Sequence, residues 1–441
     1  MESRPLPVGF PQAFRVWLKI GCIGFGGPAG QIALMHRILV DEKKWVDEAR
    51  FLHALNFCML LPGPEAQKLA TYVGWLLHGT RGGLAAGILF VVPGALVMLG
   101  ISLLYVLGKG IPVVDGALFG IKAAVLVIVV EALIRIGRRS LKSWLLVTLA
   151  GLAFVGIYFL DLPFPLIVAA AAVAGFFVSQ SSPALLGLKA GGHGAAGPEP
   201  GRWRHFAAAT AIGLALWWAP VALAAAMLGA DHVFAEIGLF FSKLATVSFG
   251  GAYALLAYMA QEAVETHHWM SAPEMVDGLG FAETLPGPLI KVTQFVGFLG
   301  AYRNPAPFSP VTAGVLGSAL TTWVTFVPPM LLIFAGAPFV EQLRANQRLS
   351  GALAAITAAV VGVILNLTVW FVLHVLFPEV SEARAGPLRW LAFDPATIDV
   401  KAGALALVAA ALAFRFHRGL VELVAIMAAL GIAVRLLLGP T

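Results

Sequence analysis

Long apolar segments alternate with short polar connections along the whole chain, and most segments have the length of a membrane-spanning helix. Segments 51–79 and 278–301 are interrupted by proline and glycine. The pattern predicts an all-α polytopic membrane protein with about 12–13 transmembrane segments. The segments lie near residues 14–35, 51–79, 83–107, 115–137, 143–160, 163–181, 206–229, 235–260, 278–301, 310–335, 349–377, 400–414 and 419–438.

One polar stretch divides this pattern into two parts. Residues 182–205 are rich in Gly, Pro and Ala with clustered charge, as in a flexible linker. We therefore predict a first repeat at 1–181, a linker with one extra transmembrane segment at 182–234, and a second repeat at 235–441.

The two parts repeat each other in sequence. Phe249, Trp269 and Pro286 each lie 224 positions after the same residue type, namely Phe25, Trp45 and Pro62. Farther along, "GIKAAV" from position 120 matches "AITAAV" from position 355, so the second copy has gained about eleven residues in between. Internal repeats of this kind are typical of secondary transporters.

Whether the repeats are parallel or inverted depends on the number of crossings between them. If 51–79 is a re-entrant hairpin, six spans precede the second copy and the repeats are parallel; if it crosses, there are seven and they are inverted. Loop 36–50 carries four Lys or Arg residues and loop 261–277 carries none. This asymmetry favours opposite sides of the membrane and inverted repeats.

The amino-acid composition indicates the medium that surrounds the protein. Hydrophobic residues make up 59% of the chain and charged residues only 12%. The net charge of +6 arises from Lys and Arg that lie mostly in short loops, so we expect a lipid bilayer and no nucleic acid as partner. Cys22 and Cys58 lie in apolar stretches, which suggests neither a disulfide framework nor a thiolate metal site, and no cofactor is expected.

Two Pro-Gly-Pro sequences interrupt apolar segments at equivalent positions of the repeats. Proline cannot continue a helix ladder but suits the first position of a new helix, here Pro64 and Pro288. Each break therefore predicts a discontinuous helix with a half-helix N-terminus, whose unpaired N–H groups and partial positive charge attract an anion. The candidate substrate-binding residues are Pro62, Gly63, Pro64, Pro286, Gly287 and Pro288.

A glycine pair also occurs once in each repeat. Gly26 and Gly27, followed by Pro28, correspond to Gly250 and Gly251. Glycine pairs in membrane helices often serve as close-packing notches, which is the alternative here. Their occurrence twice at the same spacing favours a role in substrate binding, where they would let backbone or solute approach closely.

Three lysines in apolar surroundings are further candidates. Lys122 interrupts a long apolar run and either pairs with another group or contacts substrate. Lys68 and Lys291 lie about one turn after their prolines, where they would add positive charge to the site or extend toward the interface.

The motifs "FGGPAGQIALMH", "LLPGPEAQKLATYVGW", "SFGGAYALLAYMAQEAV" and "ETLPGPLIKVTQFVGFLGAYR" resemble the chromate ion transporter family in its long form, with two fused domains. The resemblance covers nearly the whole chain. It implies about thirteen spans in inverted halves, location in the bacterial cytoplasmic membrane, and export or exchange of chromate, a tetrahedral dianion that resembles sulfate. Efflux from the cytoplasm would give chromate resistance.

Other functions stay open at this stage. A channel, or a transporter of sulfate or another oxyanion, would use the same anion-binding helix ends. A membrane enzyme would need a nucleophile, a metal cluster or paired carboxylates gathered together, and the sequence contains no such grouping. Proton or counter-ion coupling and a homodimer are possible partners that the sequence does not decide.

Overall fold

The computed structural model of the protein describes residues 8–25, 27–108, 110–187, 202–249, 252–339 and 346–439. Nearly all of this chain is helical, as the apolar pattern predicts. The first copy and the extra segment form α1 (Phe10–Ile23), α2 (Gly27–His36), α3 (Glu48–Leu60), α4 (Glu65–Gly108), α5 (Pro112–Ser140), α6 (Trp144–Tyr158), α7 (Phe164–Ser181) and α8 (Arg202–Leu228).

The second copy begins after α8 and contains the strands that the structure describes. Its elements are α9 (Val233–Thr246), α10 (Ala252–Gln261), α11 (Ala272–Thr284), α12 (Val292–Arg303), α13 (Pro310–Gly336), α14 (Gln347–Leu376), β1 (Val380–Ala385), β2 (Leu388–Phe393), α15 (Val400–Ala410) and α16 (Leu420–Leu438).

Seven of the described helices are long and apolar enough to cross a membrane, and α6 is a shorter apolar helix. The protein is therefore a multi-pass membrane protein. The seven are α4, α5, α7, α8, α13, α14 and α16.

Helix α4 is two helices rather than one. The backbone at His78 and Gly79 is not helical, with φ of −141° and +59°. We call residues 65–77 the first arm of α4 and residues 80–108 its second arm. The corresponding connection in the second copy is the longer loop between α12 and α13, which contains most of the additional residues of that copy.

Helix α3 and the first arm of α4 lie side by side, with Pro-Gly-Pro at the tip of the hairpin they form. The ring centroids of Phe57 and Tyr72 are 5.1 Å apart, although Tyr72 lies two turns into the first arm. Helices placed end to end, with a rise of 1.5 Å per residue, would hold these rings about 20 Å apart. The chain therefore reverses direction at the break.

Helices α1 and α2 also double back. Phe10, at the start of α1, packs on His78 at 5.6 Å, and His36, at the end of α2, packs on Phe51 at 5.0 Å. Phe51 and His78 both lie at the base of the α3 hairpin, so α1 starts at the level where α2 ends. The segment 14–35 is therefore a second hairpin rather than the single span expected from its hydropathy, because its glycines end α1 and start α2 in a new direction.

The 224-residue repeat extends to details of the backbone. Lys44 and His268 are equivalent in sequence, and both have positive φ, 52° and 50°. Each follows a π-helical turn, at Arg37–Glu42 in the first copy and Glu262–Thr266 in the second. The two copies therefore share local structure as well as sequence.

The described chain forms two compact units, and each unit takes segments from both copies. The first unit contains Met1–Gly100, Gly191–Ala252 and Leu285–Leu349; the second contains Ile101–Ala190, Tyr253–Thr284 and Ser350–Thr441. The predicted domain boundaries concern the repeats, and they remain predictions.

Each unit has its own apolar core. Trp17, Phe51 and Phe57 are almost completely buried within one cluster of the first unit. In the second unit, α5 and α16 approach closely at Gly120 and Gly431, where a Cβ on either glycine would overlap the backbone of the other helix. Such glycine contacts allow van der Waals packing in lipid, where the hydrophobic effect does not hold helices together.

Strands β1 and β2 form an antiparallel hairpin in the second unit that the apolar pattern did not predict. An open two-stranded sheet leaves backbone groups that hydrocarbon cannot satisfy, so the hairpin lies outside the bilayer core. Arg389 on β2, whose side chain is 9% exposed, lies within 3.3 Å of carboxylates of Asp161, Glu265 and Glu382. These contacts attach the hairpin to the α6–α7 loop and to the π-helical turn after α10.

We expect Arg389→Gln to destabilise the protein more than Arg384→Gln. Arg389 is buried against three carboxylates, whereas the Arg384 side chain is 61% exposed. Removing one partner of a buried charge cluster leaves the others uncompensated, at a cost of about 2 kcal/mol for carboxylates that keep some solvent. The melting temperatures of the two purified variants, compared with the unsubstituted protein, measure this difference. Equal melting temperatures would contradict it.

The effect of Arg389→Gln should also depend on pH. Burial raises the pKa of Glu265, and Arg389 opposes that rise, so the variant should raise this pKa further. A carboxyl whose pKa is raised by folding stabilises the folded state at low pH, and this contribution is lost as pH rises through the folded-state pKa. The deficit of the variant should therefore shrink in mildly acidic buffer and grow at neutral pH.

Candidate functional site

In the first unit, each Pro-Gly-Pro break is joined to the glycine-pair break of the other copy by one backbone hydrogen bond. The N–H of Gly63 donates to the Ser248 carbonyl at 2.9 Å, and the N–H of Gly287 donates to the Gly24 carbonyl at 3.0 Å. Gly63 and Gly287 are equivalent in the repeat, and so are Gly24 and Ser248. Each copy therefore supplies the partner that the other copy's break requires, and we call each of these two bonds an interlock.

The central glycines of the breaks adopt backbone conformations that other residues rarely tolerate. Gly63 has φ of +107° and Gly287 has φ of +95°. A Cβ on Gly63 would lie 2.5 Å from Cγ of Pro329, and one on Gly287 would lie 3.4 Å from Cα of Gly94. Pro329 and Gly94 are themselves equivalent at the later spacing of 235 positions. A proline ring therefore approaches Gly63 and helix backbone approaches Gly287, whereas the sequence predicts close approach at the glycine pairs.

After each break the new helix begins one residue later than predicted, because the second proline precedes the helix and does not occupy its first position. Pro64 immediately precedes α4, and Pro288 precedes a 3-10 turn, Leu289–Lys291, that leads into α12. In α4, the N–H of Lys68 bonds to the Pro64 carbonyl at 3.1 Å, so the N–H groups of the preceding first turn have no intrahelical acceptor. The second break has a tighter start, because the N–H of Lys291 bonds to Pro288 at 3.0 Å.

Lys68 and Lys291 each return to their own break rather than extending toward the membrane surface. Both are only 1% exposed. The Lys68 ammonium donates to the Leu61 carbonyl, and the Lys291 ammonium donates to the Leu285 carbonyl at 2.8 Å. Leu61 and Leu285 are equivalent, although the lysines are offset by one position. The positive charges are therefore held beside the half-helix starts.

The glycine-pair break in the first copy is described in part. Gly27 begins α2 with φ of +65°, and Pro28 lies in the first turn. No atom of the described residues lies within 4 Å of a Cβ placed on Gly27. The other predicted glycines, Gly26, Gly250 and Gly251, lie outside the described residues.

Comparison with known proteins identifies the family. The profile described as "Chromate transporter" matches residues 11–176 and, separately, 235–434. The chain belongs to the chromate transporter family. The two matches cover most of both repeats, so this transporter has the family's long form.

Proteins named as chromate transport proteins are similar to it along most of its length. That of Pseudomonas aeruginosa is 32% identical, over 82% of this chain and 81% of the relative. That of Cupriavidus metallidurans is 26% identical, over 80% of each. An uncharacterized transporter of Methanocaldococcus jannaschii is 25% identical, over 85% of this chain and 87% of the relative. No solved structure matches the chain.

Lys122 of the transporter belongs to the second unit. Its ammonium lies 3.5 Å from the Asp277 carboxylate, and the Tyr105 hydroxyl donates to the other oxygen of that carboxylate at 2.9 Å. The structural partner considered for Lys122 is therefore present. Contact between Lys122 and substrate stays a prediction.

Sequence reasoning missed two groups at the breaks of the transporter. Gln31 is 1% exposed, and its amide bonds to the Gly287 carbonyl. Gln67, in the first turn of α4, donates to the Phe326 carbonyl at 3.0 Å. Both glutamines lie in the quoted family motifs and interrupt apolar sequence. A polar residue in such a position is a signal from which they could have been predicted as site residues.

Proposed function

We propose that this transporter exports chromate from the cytoplasm across the bacterial inner membrane and so gives resistance to chromate. The supporting observation is the pair of interlocks, which gathers four breaks in the helices and two buried lysines in one unit. Non-helical backbone at membrane depth is tolerated where it is buried in protein or lines a water-filled cavity, and in transporters such breaks form the binding site. The relatives named as chromate transport proteins support the choice of anion.

We propose that the anion binds where the half-helix starts meet. The first N–H groups of α4 and the ammonium groups of Lys68 and Lys291 are the donors, and each ammonium already has one carbonyl partner that fixes its position. A tetrahedral dianion accepts hydrogen bonds in every direction, so donors from both copies can bind it together. The remaining proposed contacts in the first unit are Gly26, Gly27, Pro28, Pro62, Gly63, Pro64, Gly250, Gly251, Pro286, Gly287 and Pro288. Lys122, in the second unit, is a separate proposed contact with substrate.

The interlocks also offer a way to release the anion. Each interlock is one backbone hydrogen bond between segments of different copies, and such a bond contributes only about 1 kcal/mol. Breaking one bond would open the junction while the other kept the copies together. We propose that the site changes access in this way without dismantling the unit. A proton or counter-ion coupled to transport and a second copy of the chain in a homodimer are the further partners that we propose.

Transport can be tested in everted vesicles whose membrane contains the protein. We expect labelled chromate to accumulate inside them, sulfate to compete, and an imposed proton gradient to reveal any coupling. Lys291→Met should lower chromate accumulation at least about tenfold, because a hydrogen bond to a charged group contributes roughly 1.5–3 kcal/mol. Lys43→Met is the matched control, since Lys43 is exposed in a loop and should have normal activity.

Two outcomes would contradict the proposal. Sulfate accumulation without any chromate accumulation would indicate a different oxyanion transporter. Normal chromate affinity in folded Lys291→Met would remove the lysine from the site and leave it a structural role at the break.

A further inference from the structure

The Gln31 side chain has a fixed orientation at one interlock. Its Nε2 lies 2.6 Å from the Gly287 carbonyl oxygen and 3.2 Å from the Gly24 carbonyl oxygen. Both neighbours are acceptors, so only the NH₂ end of the amide can face them. The nitrogen and oxygen of this amide have nearly the same shape, and their hydrogen-bond partners therefore decide which end is which.

The other end of the amide is a buried acceptor. Gln31 is 1% exposed, and its Oε1 has no hydrogen-bond partner among the described residues. A buried acceptor without a partner is unfavourable, because the hydrogen bonds it made to water are lost and not replaced. A hydrogen-bond donor on a bound molecule would satisfy Oε1.

The surroundings of Oε1 suit an anion. Gln31 lies one turn after Gly27 on α2, and a Cβ on Gly27 would meet no atom of the described residues within 4 Å. The Lys291 ammonium lies 3.3 Å from the Gly287 carbonyl that Gln31 also contacts. A helix start, a cation and an unpaired acceptor are therefore close together. Lys291 is the charged group that shares an acceptor with this amide.

These groups differ in what they select. The helix start and Lys291 attract any oxyanion, including sulfate and chromate. Oε1, in contrast, can bind only an anion that carries a proton. Hydrogen chromate is a weak acid, so a part of the chromate pool is protonated near neutral pH, whereas hydrogen sulfate is a strong acid and sulfate carries no proton there.

We propose that Gln31 Oε1 accepts a hydrogen bond from the O–H of hydrogen chromate and thereby selects this monoanion over sulfate. Gln31 is then the residue that determines specificity. The inference rests on the proposed chromate transport and adds the protonation state of the substrate. Its pH dependence belongs to the substrate rather than to a titrating protein group.

The test is chromate uptake by proteoliposomes at fixed total chromate, in mildly alkaline and mildly acidic buffer, with sulfate as competitor. For the unsubstituted protein, uptake should rise and inhibition by sulfate should weaken as the buffer becomes more acidic. Gln31→Met keeps the length of the side chain and removes both amide ends. It should lower the preference for chromate over sulfate roughly tenfold and abolish its pH dependence.

Gln294→Met is the matched control. Gln294 is also buried, its Nε2 donates to the Ala95 carbonyl at 2.9 Å, and its Oε1 likewise has no partner among the described residues. It lies on α12 and is not among the proposed substrate contacts, so its removal should leave the chromate-to-sulfate preference and its pH dependence unchanged. Equal changes in both variants would overturn the proposal.

A second measurement needs no variant. Selenate resembles chromate in shape and charge but, like sulfate, carries no proton near neutral pH. The proposal predicts that selenate competes no better than sulfate; competition as strong as that of unlabelled chromate would overturn it. If the unsubstituted protein moves no chromate, the proposed function itself fails. If it moves chromate and Gln31→Met keeps the full preference, only this inference fails, and Oε1 binds a buried water.

Discussion

Gly63→Ala should abolish accumulation of folded protein, whereas Gly287→Ala should only reduce it. Both glycines have positive φ, and a non-glycine residue in such a conformation costs about 1–3 kcal/mol. Only at Gly63 does the added Cβ also collide with a ring, since Pro329 Cγ would lie 2.5 Å away. At Gly287 the nearest atom, Gly94 Cα, is at 3.4 Å and can yield slightly. The folded yield and melting temperature in detergent measure this order.

Gly100→Ala provides the control for these variants. Gly100 lies in the second arm of α4, and no atom of the described part of the chain lies within 4 Å of a Cβ placed there. Because alanine is the better helix former, this change should leave the yield unchanged or raise it slightly. Equal yields for Gly63→Ala and Gly287→Ala would show that backbone strain alone, and not contact with Pro329, governs the first break. Normal yields for both would contradict the described break geometry.

Loops 36–50 and 261–277 should be labelled from opposite sides of the membrane. Helices α1, α2 and α3 have 14, 10 and 13 residues, about 15–21 Å, which is less than the roughly 30 Å of the hydrocarbon core. Their hairpins enter and leave on one side. The crossings before the second copy are then the second arm of α4, α5, the pair α6 and α7, and α8. Ser143 before α6 bonds to the Leu185 carbonyl after α7, so this pair returns to its starting level and does not change the parity. The number of crossings is therefore odd, which inverts the repeats.

Single cysteines at Lys43 and Thr266, both exposed, can test this orientation with an impermeant thiol reagent. The background is Cys22→Ala with Cys58→Ala, so that no native thiol reacts. In sealed right-side-out vesicles one site should react fully and the other only after the membrane is opened. Everted vesicles should give the reverse result. Reaction of both sites from the same face would contradict inverted repeats.

The sequence predicted where the breaks lie but not how the chain passes through them. The repeated spacing of Phe25 and Phe249 and of Pro62 and Pro286 located all four breaks. Counting spans failed at 14–35, because hydropathy cannot distinguish one apolar helix from two short ones that reverse at a glycine pair. The reversal is visible only in contacts such as that of His36 with Phe51.

The sequence also could not predict the hydrogen-bond partners of the buried polar groups. Gly63 bonds to Ser248, and Gln31 bonds to Gly287, which is 256 positions farther along the chain. Such pairs depend on how separate segments pack, which local periodicity does not encode. The β hairpin is different, since Gly386 followed by proline between two short strands is a local turn signal that the search for apolar segments passed over.

The interlocks have a consequence for the biogenesis of the protein. The first copy leaves the ribosome with the Gly24 carbonyl and the Gly63 N–H facing partners that have not yet been made. At about 5–20 residues per second, Gly287 is synthesised on the order of ten to forty seconds after Gly63. During that interval the Gly63 N–H lacks its Ser248 acceptor in an apolar environment, and the Gly24 carbonyl keeps only its bond from the Gln31 amide. An unsatisfied buried N–H is unfavourable by roughly 1–3 kcal/mol. Insertion of the second copy therefore completes the fold of the first, and we expect a chain that stops after the first repeat to be less stable than the full protein.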